Sequence, residues 1–162
     1  METTPSPDAD TAYTPPDYPP ARNDLTEFDP EYTAEKIRVG SREGVEDPEN
    51  NEPHEILVWN ATSAARNVEL RITDDVEQSV VLDETYEIPA NASLSVSLLK
   101  PSYYVLKITS SGTSQETLSV SRSLFDCNRS ETRIGVFEDG TIKSTIISAM
   151  VECQTDDGTG GQ

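Results

Sequence analysis

The chain is poor in the residues that most protein chemistry needs. It has one histidine, two cysteines, two methionines and one tryptophan in 162 residues. A blue-copper site takes two histidines, a cysteine and usually a methionine, so it cannot be built here. A zinc site is short of ligands too, since only His54 is available to join two thiols. A Ser–His–acid triad would have to use His54, which follows Pro53 at a loop–strand junction and reads as a surface or hydrogen-bonded structural residue. Thirty acidic residues supply many carboxylates, but no spacing marks a catalytic pair. We expect no enzyme activity, no metal and no cofactor.

Basic residues are scarce as well. Twelve Lys and Arg stand against 30 Asp and Glu, a formal charge of −18 and a pI near 4.2. A phosphate backbone needs a basic stripe, and none is present, so a nucleic-acid partner is not expected. An anionic membrane surface is disfavoured for the same reason. No apolar run reaches about 18 residues, so no membrane span is expected. Met1-Glu2-Thr3-Thr4 lacks the basic and apolar regions of an export signal, which leaves a leader removed earlier or another route. Acidic residues in both halves, with only four lysines among the twelve bases, suit a high-salt environment. In molar salt the Debye length is about 3 Å, which screens the repulsion. In dilute buffer the same charge opposes the compact state.

Apolar residues make up 34%, low for a globular domain. The deficit is local. Residues 1–53 hold nine of the eleven prolines and a charge of −10, and residues 54–162 hold the remaining −8. The first 53 residues therefore read as an acidic, Pro-rich extended arm or stalk. Within it, either Asp29-Pro30-Glu31 opens a short helix over Tyr32 to Ile37, or Lys36-Ile37-Arg38-Val39 is an edge strand; the pattern leaves both open.

From residue 54 the period is two. Ile56-Leu57-Val58-Trp59 is the first strong strand. Val68, Leu70 and Ile72 alternate with Glu69, Arg71 and Thr73. Residues 84–112 carry three strands in succession, broken at Pro89-Ala90-Asn91 and Lys100-Pro101-Ser102, with Leu94, Val96 and Leu98 alternating with serines. Leu118 and Val120 mark another. Residues 132–138 and 141–151 flank Asp139-Gly140, which reads as a type I′ hairpin turn. About eight strands, within a range of about 7–9, and no convincing helix predict an all-β, Ig-like Greek-key β-sandwich over residues 54–153. Residues 154–162 read as a disordered tail.

Cys127 and Cys153 bracket the last hairpin, 12.5 residues before and 13.5 after its centre, a mismatch that a bulge absorbs. A disulfide between them would contribute about 3.5 kcal/mol in the chain-entropy model and implies an oxidising compartment. Asn60-Ala-Thr62, Asn91-Ala-Ser93 and Asn128-Arg-Ser130 are glycosylation sequons, all in expected turns where a glycan would stay in solvent. Trp59 reads as core rather than as a sugar platform.

The run from Pro53 to Cys153 resembles small secreted or lipid-anchored Ig-like β-sandwich proteins of halophilic archaea. The likeness is carried by Glu52-Pro53-His54-Glu55-Ile56, the Asn60-Ala-Thr62 turn before Arg66-Asn67-Val68-Glu69-Leu70, Tyr86-Glu87-Ile88-Pro89, Tyr104-Val105-Leu106-Lys107-Ile108 and the terminal cysteine pair. The resemblance implies display outside the cell, often by a lipid-modified leader cysteine that is not present here. The expectation is a non-enzymatic interaction or structural module on an N-terminal stalk. Its partners would be a protein or assembly neighbours, a second copy included, met through the arm or a sheet edge. The alternative is a structural or decoration protein of a haloarchaeal virion.

Overall fold

The computed structural model describes Thr14 and residues 17–110 and 114–148. Nine strands carry the chain: β1 (Tyr32–Val39), β2 (His54–Asn60), β3 (Arg66–Asp74), β4 (Ser79–Ile88), β5 (Ala92–Leu98), β6 (Tyr104–Ser110), β7 (Ser114–Val120), β8 (Ser130–Val136) and β9 (Ile142–Ser148). They form a five-stranded sheet, β1-β5-β2-β8-β9, packed on a four-stranded sheet, β4-β3-β6-β7. Two 3-10 turns, at Pro48–Asn50 and Arg122–Leu124, are the helical elements among the described residues.

The two-residue period decides which face of each strand is buried. On β3, Val68, Leu70 and Ile72 are fully buried while their neighbours reach solvent. They meet Ile56 and Val58 of β2, Leu94, Val96 and Leu98 of β5, Leu106 and Ile108 of β6, and Ile134 and Val136 of β8 in one core. Strands β2 to β7 follow the Greek-key order of an Ig-type sandwich, with β2 beside β5 in one sheet and β4-β3-β6-β7 in the other. The β8–β9 hairpin then adds to the free side of β2, with β8 parallel to it.

Three local expectations are resolved or change. First, the choice left open between a helix and an edge strand resolves to the strand: β1 lies parallel to β5 at the sheet edge, with a register shift between Thr33 and Glu35. The sandwich thus takes in residues expected within the arm. Second, the Asp139-Gly140 hairpin is not type I′. Strand β8 ends at Val136, Gly140 N–H donates to Phe137 O at 2.9 Å, and Phe137 N–H donates to Thr141 O at 3.0 Å. Only Gly140 has a positive φ, at 87°. This is a three-residue loop, a type I turn followed by glycine in the left-handed position, which needs no positive φ at Asp139. Asp139 Oδ1 accepts from Thr141 N–H at 2.9 Å, which fixes that choice.

Third, residues 19–31 do not extend away as a stalk. Ser119 N–H on β7 donates to Pro19 O at 2.8 Å, and Asp24 N–H donates to Ser144 O on β9 at 3.0 Å. Ser144 N–H donates in turn to Asp24 Oδ1 at 2.9 Å. The segment closes the edge between the sheets and then crosses the outer face of the five-stranded sheet. Leu25 lies over Gly135 of β8, Phe28 sits edge-on to Trp59 of β2 at 5.6 Å, and Glu31 N–H reaches Asn91 O before β5 at 2.8 Å. We call this segment the strap.

Candidate functional site

The outer face of the five-stranded sheet is divided in two. The strap covers one end. There Trp59 is 5% exposed, held between Phe28 and Phe137 with both rings edge-on, its Nε1–H donating to Asn91 Oδ1 at 2.9 Å. Trp59 is thus buried, under the strap on the outer face rather than in the expected core between the sheets, and presents no open ring face.

The other end is open. A groove of about 810 Å³ lies over the starts of β2 and β8 and the ends of β5 and β9, with β1 as one wall. That size falls within the range of ligand-binding clefts. Lys36 and Arg38 of β1 and Arg129 and Arg133 at β8 line it, against two carboxylates, Glu55 and Glu131. A third of the chain's twelve basic residues therefore face one groove on a molecule of charge −18. The carboxylates are engaged: Glu131 pairs with Arg133, and Glu55 accepts from Ser97 Oγ at 3.3 Å. Arg133 also stacks its guanidinium over Phe28, 4.9 Å from the ring centre, which ties the groove to the strap. Arg129 lies 3.9 Å from Glu52 and is otherwise open to solvent. Among the described residues, Lys36 and Arg38 have no ion-pair partner. Leu57, Leu99 and Ile147 give the groove an aliphatic component.

The sequence singled out none of these residues. Lys36 and Arg38 read as edge-strand charges and Arg129 as the middle of a sequon. The serine face of β5 was the available signal. Ser95, which lines the groove, is 8% exposed on the outer face, so the face is walled rather than flat there.

His54 lies on the opposite face, in the core. Ser130 Oγ–H donates to Leu124 O at 2.9 Å, so Ser130 Oγ accepts from His54 Nδ1–H at 2.8 Å. His54 Nε2 then accepts from Thr132 Oγ1–H at 2.7 Å. Burial drives its pKa down from 6.5 to about 4, so the ring is neutral near pH 7. Both nitrogens are occupied and the ring is sealed from solvent, which makes it structural.

The sequons differ from one another. Asn60 is not in solvent, contrary to its expected turn position: it is fully buried, and its Nδ2, the atom a glycan would modify, donates to Ala64 O, Ile88 O and Pro89 O at 2.8–3.2 Å. Its Oδ1 accepts from Thr62 N–H and Thr62 Oγ1–H. Asn91 is half-buried with φ 60°, its Oδ1 taken by Trp59. Asn128 is half-buried, and its Oδ1 is buried with no hydrogen-bond partner among the described residues. Cys127 precedes β8 and is not a free thiol, while Cys153 lies outside the described residues, as does the expected tail. No group of metal-binding side chains occurs among the described residues, and no helix there is long and apolar enough to cross a membrane.

No protein-family pattern matches the chain, and no curated protein matches it. Among solved structures, the chain is similar to the NMR structure of a protein from Eubacterium rectale. The TM-score is 0.38 and the identity 17%, over 67% of this chain and 100% of that one. A likeness at that level carries no argument about function.

Proposed function

We propose that the chain is a non-enzymatic interaction module of a halophilic archaeon, working outside the cytoplasm through the groove beside the strap. The carrying observation is the concentration of four basic side chains in one groove of a strongly acidic molecule, two of them without ion-pair partners among the described residues. Solubility in brine needs no such cluster, and a solvating surface would intersperse these cations among the acids. The sealed position of His54 supports a binding role over catalysis. Cys127, which is not free, supports an oxidising compartment with Cys153 as its partner.

Cell fractionation tests this reading. The wild-type chain should be found outside the permeability barrier and held by an envelope or assembly fraction. The doubly reversed variant Lys36→Glu/Arg38→Glu should wash free of that fraction. Recovery from the cytoplasm, or equal retention of both chains, would contradict it.

A further inference from the structure

The reading of the groove as an interaction surface can be carried to its occupant. The groove spans all five strands from β1 to β9. Adjacent strands are about 4.8 Å apart, so it is about 19 Å long, the length of about six extended residues. Its cations lie at two stations. Lys36 of β1 and Arg133 of β8 stand in one register row that runs through Ser95 and Leu57, three strand spacings apart or about 14 Å; Arg38 flanks the first, and Arg129 lies just before β8. Leu57 of β2 lies between them.

An extended chain rises about 3.4 Å per residue and puts positions i, i+2 and i+4 on one face. Carboxylates at i and i+4 would then be about 14 Å apart, matching the two stations, and the side chain at i+2 would lie over Leu57. We propose that the groove seats an extended acidic polypeptide segment of the pattern acidic–x–aliphatic–x–acidic. Charge complementarity selects the acids, and the aliphatic lining selects the residue between them. A carbohydrate fits less well. Among the described residues no aromatic side chain lines the groove, and Trp59, the one indole of the chain, is covered by the strap. The inference rests on the interaction-module reading.

The test is an NMR titration of the full ¹⁵N-labelled chain. The probe is the end-blocked peptide Gly-Glu-Ser-Leu-Ser-Glu-Gly. The comparison probes are the same peptide with lysine for glutamate and a sulfated oligosaccharide. The glutamate peptide should shift amides around Lys36, Leu57, Ser95 and Arg133. Lys36→Glu/Arg38→Glu should weaken it at least about tenfold, and Lys107→Glu, on the other sheet, should leave it unchanged. The unperturbed remainder of each spectrum reports that the variants fold. Dissociation constants above about 1 mM, equal binding of the lysine peptide, or shifts elsewhere would overturn the proposal. So would binding of the oligosaccharide alone, which gives the groove to a polyanionic sugar, or dimerisation abolished by the same charge reversal, which gives it to a second copy. If the peptide fails while envelope retention still depends on Lys36 and Arg38, the occupant is wrong and the module reading stands.

Discussion

Asn60 shows how a single side chain can invert its apparent role. In sequence it is the first residue of a sequon. In the fold it is a buried bracket that ties the end of β2 to Ile88 and Pro89 and to the turn after it. Replacing it with alanine leaves several buried polar groups unpaired, so Asn60→Ala should cost about 3 kcal/mol in urea denaturation. Glycopeptide mapping of native material should find Asn60 unmodified. His54 carries a second prediction. Its folded pKa lies below its unfolded value, so between those values the unfolded chain binds more protons than the folded one. This contribution to stability is therefore full above about pH 6.5 and lost as pH falls toward 4. The shift corresponds to about 3 kcal/mol over that range. Denaturation midpoints of wild type should fall more steeply through this window than those of His54→Gln; parallel slopes would remove histidine as the cause.

The strands were legible because a half-buried strand writes its burial into every second residue. Residues 84–112 show this well: both expected breaks, before β5 and before β6, fall where the strands end. The strap was not legible. Its buried anchors, Ala21 and Leu25, are isolated apolar residues in a polar, Pro-rich stretch, and no period marks them. The groove was illegible for a related reason, since its cations come from β1 and from positions 129 and 133, just before and within β8, which are distant in sequence from β1 and joined to it only by the sheet order. The glycine that admits the strap is Gly135. A Cβ there would lie 2.9 Å from Phe137 Cε2 and 3.0 Å from Leu25 Cδ1. Gly135→Val should thus loosen the strap at a cost of about 1–3 kcal/mol. Limited proteolysis should then cut between residues 19 and 31 faster than in wild type, while the β2–β8 core stays protected. Unchanged cleavage would show that the strap does not depend on this contact.

For the molecule as a whole, charge and shape pull in different directions. A formal −18 favours expansion in dilute buffer and is tolerated once salt shortens the Debye length from about 10 Å to about 3 Å. The urea midpoint should rise between about 0.1 M and about 2 M KCl, and a flat response would show that the acids do not repel one another across the fold. Against that background, placing four of twelve cations in one groove is the feature that gives the surface a direction. Lysine footprinting tests this most directly. Lys36 lines the groove, and Lys107, exposed on β6, serves as the reference. An amine-reactive label is applied to the chain in its native complex and to the purified chain, and the two lysines are compared by mass spectrometry. The account predicts that Lys36 is protected in the complex and reactive in isolation, with Lys107 reactive in both. Equal labelling of Lys36 in the two states would contradict it.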